Sequence, residues 1–528
     1  MIGRAGIDTL FCLPGVQNDD FFDTLVDADD IRPIVARHEQ GAAYMAMGAA
    51  QVTGEPAAFS VVPGPGMLNA SAALSSAYWS NARVLGIVGE IPTFARGRGF
   101  GVLHELADQH AVLGQLTKHA ALIDDADSAV TDLQLALDEL VGGRPRPVSV
   151  EVPVDCWRSP AAGELTAPMP VSPPIDADAL DRAVDALRAA ERPLIMVGGG
   201  AQDAGGAVGA LAELLQAPIT TRRMGHGAVP TAHPMFVHLP IGHRLWSDAD
   251  AVVAVGTRLE WPLLQWGTDD DLTIVKIDID ADELDRHDVG TIGVHGDAAA
   301  VCEALVSALG DGARRPSRAD ELDRLRDEYR TQISHLQPQL GYLDAIRDVL
   351  PDDGVFVEDV TQIGFASHLA FDFRHPRTLL STGPAGTLGA GYAHGLGAQA
   401  ALSARGDRRA LVVAGDGGFL FTATELATAV HHDIPLVCAV FVDGAYGNVK
   451  RMQQQKFGDD RTIASTLHNP DMAAFAESFG ALGLRASSPD ELRTSLDSAF
   501  GSGRPAVIHV DVGPMPDPWP QFIRGRAR

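Results

Sequence analysis

Short apolar runs alternate with longer stretches of helical period along most of the chain. IRPIVA, AAFSVV, RVLGIVG and PVSVEVP read as strands, because each is a brief β-branched or aliphatic run closed by glycine, proline or charge. Between them EQGAAYMAMGAAQ and LNASAALSSAYW carry apolar residues at helical spacing. The stretch RSPAAGELTAPMPVSPP breaks the pattern, since its prolines continue neither a helix nor a central strand, and it reads as a linker. The alternation resumes near Ile175 with PLIMVGGGA, PITTRR, ADAVVAVG and LTIVKID. A charged helical stretch, RADELDRLRDEYRTQISHL, then leads to VFVEDV, RALVVAGDGG, PLVCAVFVD and PAVIHVDV. Strands that are apolar on both faces and alternate with helices predict parallel sheets covered on both sides. The predicted fold is α/β, with three doubly wound parallel-sheet domains at 1–157, 175–310 and 340–528.

Composition narrows the class. A chain of 528 residues exceeds one hydrophobic core, and a hydrophobic content of 46% is that of a globular protein. No apolar run is long enough to cross a bilayer, and MIGRAGIDTLF lacks the apolar region of a signal peptide. Cys12, Cys156, Cys302 and Cys438 show no paired spacing, which argues against a zinc site or disulfide frame and for a cytoplasmic setting. The formal net charge of −28 argues against nucleic acid or an anionic membrane as partner.

The candidate chemistry is densest between Gly415 and Lys450. A Gly-Asp-Gly turn holding Asp416 follows one apolar strand, and a second acidic turn, Asp443-Gly444, follows the next. Two adjacent strand ends, each with a carboxylate beside glycine, can hold a magnesium ion and the diphosphate it neutralises. This segment resembles the thiamine-diphosphate signature, and the resemblance extends over the chain, nearest in form to the acetolactate synthase-like branch. It implies that Asp416, Asp443 and the main-chain carbonyl of Ala445 are the metal ligands, with Asp443 standing where the family usually has Asn. Gly417 and Gly418 are then expected to offer N–H groups to the diphosphate, with Gly418 replacing a family Ser. Gly447 and Asn448, in the YGNV that follows, fall in the same cofactor-binding segment. In the same way Thr361 and Gln362 match a loop on the diphosphate. The Gly386 carbonyl is expected to receive the 4′-amino group, and Leu388 to support the bend of the cofactor.

RHEQGAA resembles the family segment whose Glu activates the cofactor, which assigns Glu39 as a catalytic residue. A carboxyl beside N1′ of the aminopyrimidine promotes the imino tautomer that takes the C2 proton. Leu13-Pro14-Gly15 matches the loop beside the cofactor, with Val16 in place of a second glycine, so Pro14 is a cofactor contact and Val16 a pocket wall. Pro63-Gly64-Pro65-Gly66-Met67-Leu68-Asn69 matches a turn that brings Asn69 to the site. His104, within Leu103-His104-Glu105, stands where acetolactate synthases have Gln and is the second catalytic candidate, as a proton carrier. Met452 replaces a Trp of the acceptor pocket.

The resemblance therefore implies an enzyme acting on 2-oxo acids by decarboxylation or carboligation, using thiamine diphosphate and Mg2+. A 2-oxo acid is the expected partner, with an aldehyde or second oxo acid as acceptor, in a homodimer or homotetramer with sites at subunit interfaces. Two alternatives stand beside it, an FAD-linked 2-oxo acid oxidase and a non-catalytic cofactor-binding homologue. FAD is disfavoured because GTRLEWPLLQWG lacks the acidic pair and final Arg of the flavin-type segment, and the presence of Glu39 argues against a non-catalytic role.

Overall fold

The computed structural model describes residues 1–286, 290–310, 312 and 314–528. Three parallel-sheet α/β domains follow one another along the chain. The first sheet holds β1 (Thr9–Cys12), β2 (Arg32–Val35), β3 (Ala57–Val61), β4 (Val84–Glu90), β5 (His119–Leu122) and β6 (Val148–Pro153), in the order β2-β1-β3-β4-β6-β5. The second holds β7 (Pro193–Val197), β8 (Ile219–Thr221), β9 (Ala251–Val255), β10 (Thr273–Asp278) and β11 (Thr291–His295), in the order β11-β10-β9-β7-β8. The third holds β12 (Val355–Glu358), β13 (Leu379–Leu380), β14 (Ala410–Gly415), β15 (Val437–Val442), β16 (Leu482–Ala486) and β17 (Ala506–Asp511), in the order β13-β12-β14-β15-β17-β16.

The chain divides into two compact units: 1–171 with 354–361 and 380–512, and 172–353 with 362–379 and 513–528. The division at 171 falls inside the proline-rich stretch, whose residues form no regular element. The central strands β3, β4, β6, β7 and β9 are buried at every position, as expected for strands covered on both faces.

Two apolar helices run through the core of the first unit. Glu39–Thr53 is rich in Ala, Gly and Met, and Gly391–Arg405 is almost wholly buried. A helix apolar on all sides must be interior. Their small residues let the backbones approach closely: a Cβ on Gly48 would lie 1.9 Å from the His394 carbonyl oxygen, and one on Gly397 1.9 Å from that of Met45. The helix opens on His38, whose Nδ1 accepts the Gln40 N–H at 3.1 Å, and closes on Gly54 in the left-handed region. This anchorage fixes the backbone at Glu39, its first residue.

Candidate active site

The first and third sheets share one strand order, so each reverses direction at an equivalent place: between β1 and β3, and between β12 and β14. Crevices at the carboxyl ends of strands flanking such a reversal are where open α/β sheets take ligands. Pro14 and Val16 follow β1, and the Pro63–Asn69 turn follows β3. Thr361 follows β12, and Asp416 follows β14.

Asp416 is 2% exposed. Its Oδ1 accepts the Gly417 N–H at 2.8 Å, while Oδ2 accepts the Gly444 N–H at 2.8 Å and the Asn469 side-chain amide at 2.6 Å. Asp443, at the end of β15, is more exposed and accepts the Ala445 N–H at 3.1 Å. Burial and then the charge of Asp443 push the Asp416 carboxyl above its ordinary pKa, and burial does the same to Asp443. A buried carboxyl raised further by a neighbouring carboxylate is the arrangement a bound cation relieves. The segment after the next helix clasps this turn, with Leu467 N–H donating to the Gly444 carbonyl at 2.7 Å and Tyr446 N–H to that of Ser465 at 2.9 Å. The available donors are oxygens only, the set suited to magnesium completed by ligand phosphates. Among the described residues no three His, Cys, Asp or Glu side chains converge into an all-protein metal cage.

Asp359 ties the rest of this half together. It is buried, and its carboxylate accepts N–H groups from Val360 at 2.7 Å, Gly389 at 3.1 Å and Gly391 at 3.3 Å. The segment bearing Gly386, in the left-handed conformation, and half-buried Leu388 is thereby fastened to the end of β12 next to Thr361. Thr387 Oγ1 lies 2.9 Å from Ser76 Oγ on the helix Pro65–Trp79. Gln362 opens the following helix, Gln362–Ala370. Gly447 and Asn448 open the helix Gly447–Phe457, none of whose residues is buried and on which Met452 is 59% exposed.

In the first sheet, Asn69 Nδ2 donates to Glu39 Oε2 at 3.0 Å, so the two are brought together as a pair. The turn before Asn69 is held from below by Gln109, whose Oε1 accepts the Gly64 N–H at 2.8 Å. The same amide donates to the Gly89 carbonyl at 3.0 Å and to buried Glu151 at 3.1 Å. Gly64 has φ 58°, and a Cβ there would meet the His104 carbonyl oxygen at 2.2 Å, so the His104 loop crosses directly over it. His104 itself has φ 65°, a left-handed conformation that costs a non-glycine residue about 1 kcal/mol or more. Gln17 holds it there: Gln17 Oε1 lies 3.0 Å from His104 Nδ1, and Gln17 Nε2 donates to the Leu103 carbonyl at 3.3 Å. Asn469, Asp359, Gln17 and Gln109 were not singled out in the sequence. Each acts through hydrogen bonds to distant backbone or side chains, for which a lone polar residue gives no signal.

The glycine-rich turn of the central domain has a packing role. A Cβ on Gly198 would lie 2.3 Å from the Gly256 carbonyl oxygen, so two chain segments cross at glycines there.

Comparison with known proteins matches three family descriptions along the chain. They are the thiamine pyrophosphate enzyme N-terminal TPP binding domain over residues 1–112, the central domain over 180–305, and the C-terminal TPP binding domain over 359–510. A probable 2-ketoarginine decarboxylase of Pseudomonas aeruginosa is 33% identical over 523 residues, covering 97% of this chain and 92% of that protein. The chain belongs to the thiamine pyrophosphate enzyme family. Other relatives are a probable acetolactate synthase large subunit of Methanocaldococcus jannaschii, 27% identical over 96% of this chain and 90% of that one. The acetolactate synthase isozyme 3 large subunit of Escherichia coli is 27% identical over 98% of this chain and 95% of its own. Membership establishes thiamine diphosphate as the cofactor of the family to which the chain belongs and confirms the resemblance and the three-domain α/β fold expected from sequence. Among the described residues no helix is long and apolar enough to cross a membrane.

Proposed function

We propose that this protein is a thiamine-diphosphate- and magnesium-dependent decarboxylase of a 2-oxo acid. The pairing of buried Asp416 with Asp443 at neighbouring strand ends, in a chain of this family, carries the reading. When bound, thiamine diphosphate supplies the carbon nucleophile and electron sink for breaking the bond between a carbonyl and its carboxylate. Asp416, Asp443 and the Ala445 carbonyl would hold magnesium. Thr361, Gln362, Gly417, Gly418, Gly447 and Asn448 would take the diphosphate end. The Gly417 N–H already donates to Asp416, so backbone donors from the neighbouring residues carry more of that contact. Pro14, Gly386, Leu388, Asn69 and Glu39 would take the pyrimidine end, with Glu39 exchanging a proton at the ring nitrogen. His104, held in a strained conformation by Gln17, would carry the proton that replaces the departing carboxylate. Val16 and Met452 would line the pocket.

Proton capture rather than carboligation is favoured by the relative named as a decarboxylase, which shares 33% identity against 27% for the synthases of Methanocaldococcus jannaschii and Escherichia coli isozyme 3. The working unit is a homo-oligomer. Val16, Phe94, Phe100 and Leu103 lie on loops of the first domain and are each 59% exposed or more, and Val449 and Met452 are 51% and 59% exposed. Exposed large apolar side chains of this kind are what a second copy covers.

The test is carbon dioxide release by purified protein with thiamine diphosphate and magnesium. The donors are 2-oxo-5-guanidinopentanoate, pyruvate, 2-oxobutyrate and phenylpyruvate, each with and without an aldehyde, beside Glu39→Gln and Asp416→Asn. Release that collapses in both variants and yields an aldehyde without an acceptor is the expected result. Products formed only with an acceptor would replace decarboxylation by carboligation. Bound cofactor with no release from any donor would overturn the reading.

A further inference from the structure

We propose that Glu425 is a positioning residue for Glu39, fixing from the third domain the backbone on which that carboxyl is mounted. The inference rests on the reading of Glu39 as the cofactor-activating group. Glu425 is 0% exposed and follows the Asp416–Thr422 helix by one short turn. Both its carboxylate oxygens accept the Arg37 N–H at 3.1 Å, and Oε1 accepts the His38 N–H at 3.1 Å. Those are the two residues before Glu39. A Cβ on Gly41 would lie 2.2 Å from Glu425 Oε1, so the first turn of the Glu39 helix closes onto this carboxylate.

The reason for so long a reach lies in the sheet. Strand β2 is an edge strand, and its outward backbone groups have no neighbouring strand to pair with. Glu425, Thr428 and His432 stand at helical spacing along that edge and supply the missing partners. The Thr428 hydroxyl lies 2.6 Å from Glu425 Oε2 and 3.2 Å from the Val35 carbonyl, and His432 Nε2 accepts the Val35 N–H at 2.9 Å. Three side chains thus replace a strand from Val35 to His38. Asn69 orients the Glu39 side chain, and Glu425 fixes the backbone from which it projects. Burial raises the Glu425 pKa while its hydrogen-bond donors lower it again.

The geometry permits a sharp test, because a neutral glutamine can serve the same donors. Its oxygen can accept both N–H groups while its amide donates to Thr428. Glu425→Met removes every acceptor at similar volume. Two readouts are taken: hydrogen exchange of the Arg37 and His38 amides in cofactor-free protein, and kcat and KM of the holoenzyme. Glu425→Met is expected to speed exchange at those amides about tenfold or more, in line with the loss of a buried hydrogen bond. It should lower kcat by about 100-fold, with KM changed less than about threefold, as for a misplaced catalytic group. Glu425→Gln should stay within about threefold of the parent in both readouts. If Glu425→Met does not fold, Glu425→Leu takes its place, since it too removes every acceptor, with faster exchange and lower kcat expected. Unchanged exchange or unchanged kcat in the variant that removes the contact overturns the proposal. So does a Glu425→Gln protein as impaired as Glu425→Met. Glu39→Gln is run beside them: full turnover there would refute the role of Glu39, while the amide exchange would still report on the Glu425 contact.

Discussion

Replacing Gly48 by alanine tests whether the crossing of the two buried helices sets the stability of the first unit. The new Cβ would stand 1.9 Å from the His394 carbonyl oxygen, 2.9 Å from its carbon and 3.0 Å from the His394 ring. The nearest obstacle is backbone, so no side-chain rotation relieves it, and the helices must part. Alanine gains about 1 kcal/mol over glycine in a helix interior. Overpacking in a close-packed core costs about 1–3 kcal/mol, and more where neither side can yield. The clash is with main chain on both sides, so the cost exceeds the gain, and a net loss of about 2 kcal/mol is expected. By the usual scaling with size that lowers the melting temperature of this unit by about 3 °C. Gly501→Ala is the control, because Gly501 lies in the helix Pro489–Ser502 with nothing within 4 Å of its Cβ position. That variant should melt at or slightly above the parent. The double variant Gly48→Ala, Gly397→Ala should lose less than the sum of its parts, since one separation of the helices accommodates both methyl groups. Calorimetric melts of the parent, the three single variants Gly48→Ala, Gly397→Ala and Gly501→Ala, and the double variant decide the matter. A Gly48→Ala protein as stable as Gly501→Ala would refute the reasoning.

Two further outcomes are expected. His394 is 0% exposed, with Nε2 3.0 Å from Gln51 Oε1, and burial lowers its pKa from 6.5 to about 4. The folded state therefore binds fewer protons than the unfolded one between those values. The stability it contributes is present above pH 6.5 and fades as the pH falls toward 4, by up to about 3 kcal/mol. Melting curves across that window should fall less steeply for His394→Leu than for the parent, and equal slopes would discard the assignment. In the central domain, Lys276 Nζ lies 3.0 Å from Glu283 Oε1 with side chains 1% and 0% exposed. Lys276→Met leaves the Glu283 carboxylate with Arg286, whose Nε is 3.3 Å away and mostly exposed, so a loss near the lower end of about 3–5 kcal/mol is expected in denaturant unfolding. Lys276→Met combined with Glu283→Leu should recover much of it, and a single variant as stable as the parent would count against the pair.

Most interior strands were legible because burial on both faces forces a continuous apolar run. The strands absent from that reading are β1, β5, β11, β13 and β16, and all but β1 lie at sheet edges. Three of them are half-exposed along most of their length, and β13 is only Leu379–Leu380. The missed edge strands carry apolar residues on little of their surface, so no apolar run marks them. The candidate site divides in the same way. Asp416, Asp443 and Glu39 sit on motifs whose glycines and carboxyls are adjacent in sequence. Glu425 stands 388 residues from the Arg37 N–H it accepts, and no motif named in the sequence includes it as a site residue. Contacts from a side chain to a distant main chain constrain one partner alone, because any residue except proline supplies the N–H.

The shared strand order of the first and third sheets explains why the site needs both. A reversal point offers a crevice between two diverging loops, with backbone groups lining it, and little else is dictated by topology. Chemistry is added by what each loop carries. In the third sheet the loops after β14 and β15 bring two carboxyls together, which suits a cation and the anionic end of a ligand. In the first sheet the loops after β1 and β3 bring no such pair to the crevice; there the Glu39 carboxyl is paired with a neutral amide at 3.0 Å. On the proposed reading, the two half-sites fit a cofactor whose diphosphate needs a metal and whose pyrimidine needs one exchangeable proton. Covering the β2 edge with Glu425, Thr428 and His432 then follows as a mechanical requirement. On that reading the carboxyl proposed to exchange the proton begins the helix immediately after an edge strand of its sheet, and its position is only as firm as that edge.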